Sequence, residues 1–308
     1  MDKKSIDTIQ RFLCEDAVHY DFSDDCIKDS EYKKKEGYDK YFAYRTQNAS
    51  TRDPDSNSIL LQEIYKVLWP EMINIDYMTS NGKITSDTMT SIQHTLGKYF
   101  SDTFPNEVIE YMKKNPRQRN VSAIMCKNMF EQFGSVKKAL NNNKNLEHFI
   151  SVYHTIGNYV PVPKGFNAAR SGPGVSSSYD YWDLSLMKIK EVFDLKEDSE
   201  IRMNVAFHPI SQLLHSEEKI QAIQNCLSWL NAYSSWNDFV EKNFFQDYVD
   251  KDGEVIPFCE GHSWNAGCNE VAEYDMFFEN AWKRIETRSQ RMIEKLNDIV
   301  GKDILTSL

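Results

Sequence analysis

The chain has 308 residues, of which 41% are hydrophobic, 27% charged and 13% aromatic, and its formal net charge is -10. A chain of this length buries roughly 75% of the surface its unfolded form exposes, so it can hold a core without a disulfide or metal staple, and 16 Tyr with 17 Phe argue against disorder. The acidic balance counts against a protein that coats nucleic acid non-specifically, because phosphate neutralisation supplies most of that affinity, and it favours a basic-surfaced protein partner.

The opening stretch MDKKSIDTIQ lacks the apolar core of a secretory leader. No run approaches the roughly 18 apolar residues of a membrane span, so no membrane association is expected. The six cysteines, Cys14, Cys26, Cys126, Cys226, Cys259 and Cys268, are scattered. They read as reduced thiols of a cytoplasmic protein.

Ile6, Ile9, Phe12 and Leu13 share one face of a helix over 4–18. With that helix, residues 1–57 form an N-terminal unit whose remainder, from 19, is polar and mixed and reads as a surface segment with at most one short element. Its run Lys33-Lys34-Lys35-Glu36 suits a solvated face. A main helical domain over 58–308 opens with a helix capped by Ser58, lined by Leu60, Leu61, Ile64, Tyr65 and Leu68, and stopped at Pro70. Further helices are expected from Ser86-Asp87 to about Phe100, from Asn106 to Asn115, over 121–141 with a break at Gly134, and over 145–153. Residues 156–162 make the best strand, with Pro161 and Pro163 marking an edge or an end. Trp182, Leu186, Ile189 and Phe193 then predict a helix from Tyr181. Two more follow over 217–233 and 235–249, then a turn at 250–253, a short strand over Glu254–Phe258 and a closing helix over 270–299. The fold expected is mostly α: a compact helical domain with a short β-hairpin or small sheet near residues 156–170.

Residues 154–174, HTIGNYVPVPKGFNAARSGPG, concentrate the unusual choices. Gly157 and Asn158 can take positive φ and turn the chain from helix into strand, and Gly165 frees the backbone before Phe166 and Asn167. Lys164 and Arg170 place two cations beside the amides of Asn158 and Asn167, a set able to bind phosphate or carboxylate. The alternative is a structural turn whose Asn side chains bond the backbone. Asp180 and Asp183 bracket Trp182 at a helix start. They either complement the helix dipole or face Lys164 and Arg170 as metal ligands or a charge lock. Cys259, His262 and Cys268 offer two sulfurs and an imidazole to a zinc ion, with Glu260, Glu270, Asp275 or a distant residue as fourth ligand; the alternative is a loop with two free thiols. Glu15, Asp16, Asp21, Asp24 and Asp25 with His19 read as a solvated acidic surface. The flexible Ser176-Ser177-Ser178 run could close over Asn167.

HTIGNYVPVPKGFN resembles the His-Thr-Leu-Gly-Asn stretch of the His-Asn-His-type endonuclease domain of GmrSD-like, modification-dependent restriction enzymes. The resemblance implies a strand-turn-helix holding a divalent metal, with an upstream histidine that activates water. Trp282-Lys283-Arg284-Ile285-Glu286-Thr287-Arg288 resembles that family's closing helix. The local candidate for the upstream histidine is His148, in Glu147-His148-Phe149-Ile150, which lacks the family's proline. By this resemblance Asn167 matches the family's Asn, while His154 matches a turn residue rather than the catalytic histidine. Together with the reading of the residues themselves, the candidate catalytic residues are His154 and Asn167, the phosphate-binding ones Lys164, Arg170 and Asn158, and the metal ligands Asp180 and Asp183. Arg52-Asp53-Pro54-Asp55-Ser56, Leu68-Trp69-Pro70, Gly165-Phe166-Asn167 and Asp180-Tyr181-Trp182-Asp183-Leu184-Ser185-Leu186 are also similar to an uncharacterised bacterial family over about residues 50–250. The expectation is a phage-defence or restriction-related protein that senses or acts on nucleic acid or nucleotide phosphate; the alternative is an acidic protein-protein interaction module.

Overall fold

The computed structural model describes residues 3–46, 53–118, 120–167, 181–195, 217–262, 268 and 270–307. The mostly α fold with a small sheet is what it shows. Helix α1 (Lys3–Leu13) presents Ile9 and Phe12 to the core, as its spacing predicts. The following stretch is more structured than its polar composition suggests. It forms α2 (Ser23–Cys26), α3 (Ser30–Lys33), α4 (Gly37–Thr46) and α5 (Pro54–Asn57), and it buries Phe22, Tyr32, Tyr38, Tyr41 and Phe42. Tyrosine and phenylalanine supply the apolar area there that aliphatic periodicity would have advertised.

Helix α6 (Ile59–Leu68) is capped by Ser58, whose hydroxyl accepts from the Leu61 N–H at 3.1 Å. A hairpin of β1 (Thr79–Ser80) and β2 (Lys83–Ile84) turns through Asn81 (φ 52) and Gly82 (φ 74). Gln62 of α6 holds it, donating to the Ile84 carbonyl and accepting from the Ile84 N–H. No helix starts at Ser86: β3 (Ser86–Thr88) pairs antiparallel with β4 (Tyr159–Pro161), Asp87 opposite Val160, and α7 (Ile92–Thr103) begins afterwards. Then come α8 (Pro105–Lys114), α9 (Ala123–Gln132), α10 (Gly134–Asn142) and α11 (Lys144–Val152), with the break at Gly134 where the sequence places it. After β4 follow α12 (Trp182–Asp194), α13 (Glu217–Leu230), α14 (Trp236–Lys242) and the long α15 (Val271–Ser307). The helix expected over 235–249 stops at Lys242, because Phe244 takes φ 60 and a 3-10 turn covers Gln246–Tyr248. The strand expected over 254–258 is reduced to a single bridge between Val249 and Val255.

One apolar core runs from Ile9 to Val300, and Ile27, Tyr32 and Tyr44 form a small satellite. Helix α15 is its axis, packed along α11 and against the Ile156–Asn158 turn. The described residues contain no helix long and apolar enough to cross a membrane.

Candidate functional site

The central turn is built by α15. Gly157 and Asn158 form a 3-10 turn and neither has positive φ. Glycine is required at 157 for a different reason: a Cβ there would collide with the Ile285 carbonyl and Ser289 of α15. The Gly157 N–H donates to the Ser289 hydroxyl at 2.9 Å. Arg288, fully buried, donates to the carbonyls of Gly157 (2.8 Å), Tyr159 (2.7 Å) and Asn243 (3.0 Å) and lies over the Phe245 ring. Burial pushes its guanidinium down to about 10. Among the described residues no carboxylate is paired with it; the backbone dipoles of the turn solvate it instead.

That turn fixes the direction of His154, which leaves the end of α11 and enters the junction of α2 and α4. Its carbonyl accepts from the Phe22 N–H at 3.1 Å, and its ring meets Tyr44 edge-on at 4.2 Å. Nδ1 stands 3.5 Å from a carboxylate oxygen of Asp21. Asp21 also accepts from Lys40 at 2.8 Å and from the Ser23 hydroxyl at 2.5 Å. Burial alone would raise the Asp21 carboxyl, but His154 and Lys40 outweigh it and hold the group below the ordinary carboxylate range. A cleft of about 230 Å³ opens over His154, with Lys35, Lys40, Tyr32 and Tyr153 among its walls.

A second set of carboxylates lies beside this pair. Asp53 and Asp55 flank Pro54 at the start of α5, which packs against α2 and β3. Asp87 projects from β3 and accepts from the Asn167 amide at 3.3 Å. Burial raises Asp53 against the pull of His154 and Arg45, and burial together with the charges of Asp53 and Asp87 pushes Asp55 up to about 8. The cluster therefore sets one carboxyl held low, Asp21, beside a mutually repelling pair, Asp53 and Asp55, both held high. The Tyr159 hydroxyl is buried nearby, with no hydrogen-bond partner among the described residues.

The other residues singled out from the sequence fare differently. Asn158 is fully buried; its amide donates to the carbonyls of Thr90 and Tyr153 and its oxygen accepts from the Thr90 N–H, so both amide hydrogens are engaged and none remains for an anion. Lys164 is exposed, and its backbone bonds Tyr77 and Asn225. Gly165 does take positive φ (82), where its backbone passes Ala222. Arg170, Asp180 and Ser176-Ser177-Ser178 lie outside the described residues. Asp183 does not face Lys164: it is fully buried and accepts from the Phe258 N–H at 2.9 Å and from His262 Nδ1 at 2.5 Å. Cys259 and Cys268 do come together, with sulfurs 3.0 Å apart. Yet among the described residues no three His, Cys, Asp or Glu side chains are placed to hold a metal ion. His148 is on no strand; its ring stacks on Trp282 at 4.9 Å. His19 bridges Asp16 and Glu286, which ties the acidic N-terminal stretch to α15.

Residues 38–292 match a family of unknown function, DUF6994. The chain belongs to that family. The matched span holds Asp53, Asp55, Asp87, His154, Asn167 and Arg288, while Asp21 lies before it. No curated protein and no solved structure matches the chain.

The sequence reading missed Asp21, Asp53, Asp55 and Asp87 as members of one site. The Asp-Pro-Asp step at 53–55, two acids fixed at a helix start by a proline, is the signal that could have found two of them.

Proposed function

We propose that this protein is a hydrolase of phosphate esters in nucleic acids or nucleotides, of the restriction-related kind that the endonuclease resemblance implies. The observation that carries the reading is the Asp21 carboxylate facing Nδ1 of His154 beneath a cleft lined by Lys35 and Lys40. An imidazole oriented through Nδ1 offers its other nitrogen as a general base toward water. Lys35 at the cleft wall supplies positive charge for a phosphate, while Lys40 is engaged by Asp21 and Asp24. Asp55, protonated near neutral pH, suits a general acid that returns a proton to the leaving oxygen. Asn167, tied to Asp87, would position the ester. β3, the strand paired with β4, carries Ser86, Asp87 and Thr88 and no histidine, so His154 takes the water-activating part in this reading.

The test is turnover of bis(4-nitrophenyl) phosphate and of single- and double-stranded DNA and RNA, run with magnesium and with chelator. The wild-type chain is expected to hydrolyse at least one of these. His154→Ala and Asp21→Asn should each lower the rate by about 100-fold or more, and Asn167→Ala should lower it less. A pure, folded wild-type chain inert on every substrate, or a His154→Ala variant as active as wild type, overturns the proposal.

A further inference from the structure

A larger cleft, of about 750 Å³, shares no lining residue with the one over His154. It is bounded by the end of α6, the turn after it, α14 and α15, and its size is that of a small-ligand pocket. We propose that it binds a small organic cation with a flat apolar body.

The walls supply the apolar part. Trp69, Trp229, Tyr233 and Phe244 line the space, with Trp69 edge-on to Phe244 at 5.7 Å. Trp69 is locked by its indole N–H, which donates to the Lys242 carbonyl at 3.0 Å. Phe244 takes φ 60, a left-handed conformation that a bulky side chain adopts only under constraint. That departure ends α14 and puts an aromatic ring in the cleft wall; costly backbone of this kind collects at ligand sites.

The charges select the sign. Glu71, Glu241, Glu294 and Asp298 line the cleft. Of the three cations there, Lys242 is paired with Asp238 at 3.0 Å and Arg291 with Asp247 at 2.7 Å, leaving Lys295 against four carboxylates. Acidic rims over aromatic faces attract ammonium groups by charge and by the ring quadrupole together. One buried polar atom on the same lining, the Gln246 Oε1 acceptor, has no partner among the described residues. The Tyr233 hydroxyl donates to Asn243 and hydrogen-bonds Trp229. An amine supplies the N–H that Gln246 lacks.

Three probes of one shape separate charge from shape: 2-phenylethylamine, 2-phenylethanol and phenylacetate, titrated by calorimetry and by tryptophan fluorescence. The amine is expected to bind about tenfold tighter than the alcohol and the carboxylate not at all, with the preference weakening as salt rises. The double variant Glu71→Gln/Glu241→Gln should keep the wild-type melting temperature, since both side chains are exposed, and should lose the preference for the amine. Gln246→Leu should weaken both the amine and the alcohol, since either donates a hydrogen to Oε1. Equal binding of amine and alcohol, or no amine binding at about 10 mM, overturns the proposal. Hydrolysis at His154 should be unchanged in these variants, so failure here and failure of the proposed activity are separate results.

Discussion

Replacing Gly157 by alanine puts a methyl group where the Ile285 carbonyl and the Ser289 side chain already stand. The carbonyl belongs to the backbone of α15 and cannot rotate aside, so the turn and the helix must separate. Overpacking of this kind costs about 1–3 kcal/mol. Separation also stretches the Gly157 N–H bond to Ser289 and the Arg288 bond to the Gly157 carbonyl, both buried. Weakening a buried bond to a charged donor adds about 1.5–3 kcal/mol. The sum, about 2.5–6 kcal/mol, corresponds to a fall in melting temperature of roughly 4–9 °C for a chain of this size. Thermal unfolding followed by circular dichroism, with chemical unfolding alongside, measures it. Ser289→Ala is the control: it removes one hydroxyl partner and no space, and should cost about 1 kcal/mol. If Gly157→Ala melts within about 2 °C of wild type, or costs no more than Ser289→Ala, the steric account of the turn is wrong.

Arg288→Met removes a buried cation and strands three carbonyls, so unfolding in guanidinium should show a loss of about 2–4 kcal/mol. Asp55 has a folded-state value raised to about 8, so its contribution is full below the unfolded carboxylate range and is lost as pH climbs to about 8; wild-type melting temperature should fall between about pH 5 and pH 8, and Asp55→Asn should flatten that fall. Asp21 runs the other way: its depressed carboxyl stabilises above the unfolded value and the gain disappears in acid, so Asp21→Asn should narrow the stability gap between about pH 6 and pH 3. Cys259 and Cys268, with sulfurs 3.0 Å apart, should join under a mild thiol oxidant with a mass loss of about 2 Da, read by mass spectrometry; thiols that stay fully alkylatable would contradict the geometry.

Much of the helical framework is legible in the residues. Ser58 caps where the hydroxyl pattern says it should, Gly134 divides two helices, and Leu146, Phe149 and Ile150 bury together. The failures have physical causes. Ser86-Asp87 looks like a helix cap because a short polar side chain before an apolar run also suits the end of a strand. The hairpin at Asn81-Gly82 carries the strongest short-range turn signal there is and still escapes notice, because its strands are only two residues each. Gly157 is recognisable as a required glycine, but the residue that requires it, Ile285, lies in a distant helix, so sequence suggests a dihedral reason where the structure gives a collision. The candidate site is half legible: His154 and Asn167 stand in the stretch that draws the eye. Asp21, Asp53 and Asp87 arrive from three separate segments, and no local pattern records that meeting.

The dependence of the central turn on α15 also orders events in time. Arg288 reaches carbonyls about 130 positions earlier in the chain. During synthesis, the segment around His154 therefore leaves the ribosome long before the guanidinium that will satisfy its backbone exists. Until then those carbonyls have only water, and the neighbouring tyrosines cannot close over them without stranding polar groups. Assembly of the His154 cleft is thus expected to follow synthesis of α15.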